Sequence, residues 1–150
     1  MEIAIGCDHA GVQLKEEIMA ALQDEGYEVI NCGTDTSESV DYPDFAEKVA
    51  GEVLQKKILG VLICGTGIGI SIAANKIPGI RAAVCGDIYT AELAREHNDA
   101  NILALGSRVT GSGLAVKIVK TFIKTDFLAG RHERRVSKIT ALENKYLERG

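Results

Sequence analysis

Apolar, β-branched-rich runs alternate with segments of helical period along the whole chain, and this alternation constrains the fold more than any other feature. The opening run EIAIGC reads as a strand. A helix follows from Val12 to Asp24, with Val12, Leu14, Ile18, Met19 and Leu22 as its inner stripe. Gly26 closes that helix, and YEVINC is the second strand. A polar loop, GTDTSESVDYPD, leads into a helix through FAEKVAGEVLQKK. The third strand, ILGVLIC, shows no alternation, which predicts burial on both faces. After it come a glycine-rich loop and a short helix stopped at Pro78-Gly79. IRAAVC, a helix through YTAELAREH, the strand NILAL, a helix through LAVKIVKTFI and a basic C-terminal helix complete the series. Five strands, each followed by a helix, predict an α/β chain: a Rossmann-like three-layer sandwich around a parallel sheet. Right-handed crossovers make 2-1-3-4-5 the expected strand order. No repeat or linker interrupts the pattern, so residues 1–150 read as a single domain.

A chain of 150 residues can bury a sizeable core without disulfides. No apolar run approaches the roughly 20 residues of a membrane span, and MEIAIGCDHAG lacks a signal peptide's basic start, so a cytoplasmic protein without a membrane partner is expected. A net charge of −4 argues against nucleic acid as the main partner. Residues 131–150 nevertheless carry six Lys or Arg against three Glu. Such a tail suits an anionic ligand or a partner subunit's acidic surface, and equally an ordinary solvated helix. Cys7, Cys32, Cys64 and Cys85 form no C-x-x-C pair and match no zinc spacing, so free thiols in a reducing compartment, and no metal, are expected.

In open α/β sheets ligands bind beyond the C-terminal strand ends, where the strand order reverses. In the order expected here that crevice lies between the first and third strands. The loops there are CDHAG, with Asp8 and His9, and CGTGIG, with Cys64 and Thr66. The glycine loop is G-x-G-x-G after the third strand, neither a dinucleotide fingerprint nor a P-loop. What it offers is a row of backbone N–H groups from Gly65 to Gly69, opening onto a helix N-terminus. Such a nest binds anions, and it can equally hold an oxyanion formed during a reaction.

Thiols beside helix N-termini ionise more readily than free cysteine, and Cys64 stands at such a place. Its thiolate could take a proton from carbon next to a carbonyl, with the adjacent amides and the Thr66 hydroxyl holding the enediolate that results. An inert strand-end cysteine is the plainer alternative. Asp8 and His9 fit contacts to sugar hydroxyls or phosphate, although Asp8 also fits a helix cap. His97 and Asn98 fall between the fourth helix and the last strand, at the opposite edge of the sheet, where a lone histidine commonly serves as a helix-end residue meeting the dipole. To take part in chemistry His97 would have to reach a partner subunit's site. Arg131, Arg134 and Arg135 suit a phosphate clamp, or simply a charged helix start.

GCDHAG, GT…DYPD, ICGTGIGISIAANK, GIRAAVC, REHNDANILALGSR and AGRHERRV occur in the order found in the ribose-5-phosphate isomerase B family, which the chain resembles over essentially its whole length. That family also includes allose-6-phosphate isomerases and galactose-6-phosphate isomerase subunits. The resemblance implies aldose–ketose isomerisation of a sugar phosphate, ribose 5-phosphate first among the candidates, with no metal or organic cofactor. A six-carbon sugar phosphate and a non-catalytic phosphosugar-binding module are the alternatives.

By the same resemblance Cys64 is the proton-abstracting base, His97 the ring-opening acid, and Gly65, Thr66, Gly67, Ile68 and Gly69 the enediolate loop. It places Asp8, His9, Asn98, Arg108, Arg131 and Arg135 on substrate-contacting positions, the arginines as anchors of the phosphate or of the rest of the substrate, and leaves Arg134 unmatched. It implies a homo-oligomer, dimer or tetramer, with the active site shared between subunits and the C-terminal helix turned toward a partner. One branch of the family carries a carboxylate base where this chain has Ile68, which places the chain with the cysteine branch. Ala129 stands where a glycine is common, a departure expected to be neutral.

Overall fold

The computed structural model describes residues 1–147; the last three residues of the basic tail, 148–150, lie outside it. The strands are β1 (Glu2–Cys7), β2 (Glu28–Asn31), β3 (Leu59–Cys64), β4 (Ala82–Val84) and β5 (Ile102–Gly106). The helices are α1 (Val12–Asp24), α2 (Tyr42–Lys56), α3 (Ile68–Ala74), α4 (Ile88–Glu96), α5 (Ser112–Lys124) and α6 (Arg131–Leu147). All neighbouring strands pair in parallel. Among the described residues no helix is long and apolar enough to cross a membrane.

The sheet order is β2-β1-β3-β5-β4, so the last two strands are exchanged relative to the expected 2-1-3-4-5. Burial supplies the reason. β5 is buried along its full length, whereas the three-residue β4 is only partly covered. The longer, more apolar strand takes the interior position and the short one the edge. This exchange also moves a helix. With right-handed crossovers, connections running back along the sheet lie on the face opposite those running forward. Accordingly α1 and α4 pack against α5 on one face, while α2 and α3 pack together on the other. The reversal between β1 and β3 survives the exchange, and with it the predicted crevice.

Strand period divides the core into two layers. Ile3, Ile5, Val61, Ile63, Leu103 and Leu105 face α1, α4 and α5. Ala4, Leu62, Cys64 and Ala104 face α2 and α3, where Val49 and Val53 of α2 sit. Burying a side chain of the Leu or Ile kind contributes about 1.5–3 kcal/mol, so the two layers carry most of the fold's stability.

Helix α6 buries none of its residues, and Ile139, Leu142, Tyr146 and Leu147 remain exposed. Its Glu143 carboxylate accepts the Gly79 N–H, at 3.2 Å to Oε1 and 3.1 Å to Oε2. Just before the helix, Ala129 has φ 55°, a left-handed conformation that costs an L-residue about 1–2 kcal/mol. Ala129 is therefore not neutral. Ala129→Gly is expected to raise stability by up to about 1 kcal/mol, the relief of strain being partly offset by the entropy of a freer unfolded chain. A higher urea midpoint at unchanged m-value would show this; an equal or lower midpoint contradicts it.

Candidate active site

Three turns meet at the C-terminal ends of β1, β3 and β5, tied together by backbone hydrogen bonds. The Asp8 N–H donates to the Ile63 carbonyl at 3.1 Å, the Ser107 N–H to Cys64 at 2.9 Å, and the Arg108 N–H to Gly65 at 3.0 Å. Asp8, His9, Cys64, Gly65, Thr66, Gly67, Ile68, Gly69 and Arg108 are thereby brought into one crevice.

Cys64 ends β3 and is 5 % exposed. Its Sγ accepts the N–H of Gly67 at 3.2 Å, closing the glycine loop back over the sulfur. Gly67 has φ 80°, which favours glycine, and a Cβ there would lie 2.9 Å from the Leu105 carbonyl carbon. The Thr66 hydroxyl accepts the Ile68 N–H at 3.2 Å. Two of the loop's amides are thus engaged inside the loop, one by the thiol and one by threonine. The row is less open than its sequence suggests. Burial pushes the other three thiols up: Cys7 from the ordinary 9.0 to about 11, and Cys32 and Cys85 in the same direction.

Asp8 serves as a cap, its carboxylate accepting the Ala10 N–H at 3.0 Å, and it is 6 % exposed. What it caps is the short 3-10 turn His9–Gly11; α1 itself starts after Gly11 with no side-chain cap, so the expected cap falls one turn ahead of that helix. His9 accepts the Val40 N–H on Nδ1 at 3.2 Å, so the neutral ring carries its proton on Nε2. The Arg108 guanidinium lies over Gly65, with Nη1 3.0 Å from where a Cβ would stand. No local sequence signal gives Tyr42, in the DYPD stretch, a place at the site. Its ring lies over Gly69, with Cζ 2.7 Å from a Cβ position there. Only the folded loop between β2 and α2 brings that phenol to the site.

His97, Asn98, Arg131 and Arg135 are elsewhere. His97 caps α4, and its ring stacks on His132 of α6, centroids 4.1 Å apart with planes 10° off parallel. Loss of solvation, followed by the neighbouring charges of His97, Arg131 and Arg135, holds the His132 imidazole below the usual histidine range. His132, like Tyr42, escaped the sequence reading. This cluster precedes β5, whereas Cys64 pairs with Gly106 at the far end of that strand. At about 3.3 Å per residue, β5 alone keeps His97 more than about 13 Å from Cys64 within one chain. Among the described residues no group of three or more His, Cys, Asp or Glu side chains could hold a metal ion.

A profile of the ribose/galactose isomerase family matches residues 3–139. Ribose-5-phosphate isomerase B of Escherichia coli K12 is 53 % identical over 145 residues, covering 96 % of this chain and 97 % of that protein. The structure of ribose-5-phosphate isomerase B from Clostridium thermocellum superposes with a TM-score of 0.95 at 59 % identity, covering 97 % of this chain and 99 % of that one. The type B ribose 5-phosphate isomerase of Trypanosoma cruzi gives 0.92 at 47 % identity, with 97 % and 99 % covered. A thiol at the strand-order reversal, under a glycine loop and beside an aspartate, a histidine and an arginine, is thus set in a fold shared along nearly its whole length, and the chain belongs to the ribose/galactose isomerase family.

Proposed function

We propose that the protein interconverts ribose 5-phosphate and ribulose 5-phosphate, with Cys64 as the general base. The observation that carries the proposal is the Cys64 sulfur at the end of β3, capped by the Gly67 amide and flanked by Thr66, in the crevice that also holds Asp8 and His9. His97 donates a proton to the furanose ring oxygen as the C1 hydroxyl loses one, freeing the aldehyde. The Cys64 thiolate then removes the C2 proton. The Thr66 hydroxyl and the loop amides not already engaged hold the cis-enediolate, and the proton returns at C1 to give the ketose. Asp8 positions the hydroxyls that exchange protons, His9 and Asn98 contact the sugar phosphate, and Arg108, Arg131 and Arg135 hold the phosphate.

Completion of the site requires a second copy, since His97 and the α6 arginines lie at the other end of the sheet from Cys64. The exposed apolar stripe of α6 supports a homo-oligomer in which each crevice receives these residues from its neighbour. Subunit mixing tests this. Cys64→Ala and His97→Ala homo-oligomers should each be nearly inactive. Co-refolded as dimers in equal amounts, they should regain about a quarter of wild-type activity, because half the dimers are hybrids with one intact site. No recovery would place both residues in one chain's site or in none.

The four free cysteines support a cytoplasmic, reducing setting. A six-carbon substrate is the second reading, favoured by the matched family's inclusion of galactose isomerases. Comparing kcat/KM for ribose 5-phosphate with that for allose 6-phosphate and galactose 6-phosphate decides between them.

A further inference from the structure

Lys15, on α1, is 0 % exposed, and nothing in the proposed chemistry uses it. A lysine so completely buried must satisfy all three of its donors. Its Nζ donates to the Asn31 side-chain oxygen at 3.1 Å, to the Thr34 carbonyl at 2.7 Å and to the Asp35 carboxylate. All three acceptors lie where the chain leaves β2: Asn31 ends the strand, and Thr34 and Asp35 are in the turn that follows. That turn is closed further by Asn31, which donates to Asp35 at 2.9 Å and accepts the Gly33 N–H at 3.1 Å. Thr34 also donates to the Cys7 carbonyl at 3.3 Å, so the turn lies against the end of β1.

The segment that Lys15 grips runs directly to the crevice. Six residues beyond Thr34, the Val40 N–H donates to Nδ1 of His9. Two residues later Tyr42 begins α2 and lays its ring over Gly69. One end of the segment is therefore fixed on a buried ammonium and the other on two side chains of the site.

Stability is a poor explanation for this arrangement. The Asp35 side chain is 68 % exposed, and pairing with so solvated a carboxylate repays little of the cost of burying a lysine. What three convergent bonds to one short turn do supply is a single loop conformation.

We infer that Lys15 is a positioning residue of the active site, whose ammonium sets the path of residues 32–41 and thereby holds His9 and Tyr42 against the bound sugar phosphate. The inference rests on the reading of the Cys64 crevice as the sugar-phosphate site. Lys15→Met keeps the length and apolar stem while removing the three donors. In the full-length protein it is expected to raise KM for ribose 5-phosphate about tenfold with kcat within about threefold, as loss of uniform binding requires. The His9 imidazole gives an independent reading. Its ¹⁵N–¹H correlations should report the Nε2–H tautomer in the wild type and a mixture in Lys15→Met, once Val40 no longer holds Nδ1.

Asp35→Asn changes an exposed side chain and serves if Lys15→Met fails to fold. It should raise KM about threefold alone and add little to Lys15→Met, because both act through one network. Unchanged KM and an unchanged His9 tautomer in a folded Lys15→Met overturn the inference, whether or not its melting temperature falls. So does a loss of kcat at constant KM. If Lys15→Met does not fold, an unchanged KM in Asp35→Asn overturns it. A wild type inactive on ribose 5-phosphate would instead refute the functional reading, and the His9 tautomer would then still decide whether Lys15 sets the loop.

Discussion

Cys64→Ala is expected to lower kcat by at least about 10²–10⁴, the contribution of a positioned general base, while KM changes little. Phosphate affinity should persist because the groups proposed to hold the phosphate are arginines on other elements. Folding should persist too. Alanine keeps the Cβ of a residue buried at the end of β3, and it removes only the sulfur to which Gly67 donates. Cys85→Ala is the matched control. Cys85 is also buried, and its thiol is pushed up by that burial, but it stands beyond β4 at the sheet edge. Its removal should leave kcat within about twofold, with a stability cost near the ~1 kcal/mol typical of a point substitution. Near-normal turnover in Cys64→Ala would remove Cys64 from the chemistry.

The second large effect is expected at Gly106, which lies under the glycine loop without belonging to it. A Cβ on Gly106 would stand 2.6 Å from the Thr66 carbonyl carbon, 2.7 Å from its oxygen and 2.8 Å from its Cα. All three are backbone atoms, so no side chain can rotate away and the loop itself must lift. Displacing groups that hold a developing charge by a fraction of an ångström is costly, since a 1 Å misplacement loses about 10²-fold in rate. Gly106→Ala is therefore expected to lower kcat about 10²-fold and stability by about 1–3 kcal/mol, the usual cost of overpacking. At Gly86 a Cβ meets nothing within 4 Å, and Gly86→Ala should be close to silent in both measurements. Wild-type kcat in a folded Gly106→Ala would mean that the Thr66 backbone need not be held where it is.

Elements with a strong local signal were legible in the sequence. The inner stripe chosen for α1 includes Leu14, Ile18 and Leu22, all buried, and ILGVLIC forms the centre of the sheet. The crevice was legible because its position depends only on where β1 and β3 lie. The order of β4 and β5 was not, because it depends on a competition between strands for the interior that no local pattern shows. Tyr42 was missed for a related reason: ten residues of loop separate β2 from its ring, and no local pattern says where such a loop ends. Counting amides in CGTGIG gave a full row of donors, whereas the folded loop engages two of them internally. Ala129 looked harmless because its cost lies in φ, which no composition shows.

Proton NMR of the wild-type protein with ribose 5-phosphate in D₂O tests the central claim most directly. The account predicts ribulose 5-phosphate carrying solvent-derived deuterium at C1, as proton transfer through an enediolate and an exchanging base requires. Ketose free of deuterium would contradict the exchanging thiol base, and no ketose at all would contradict the proposed reaction.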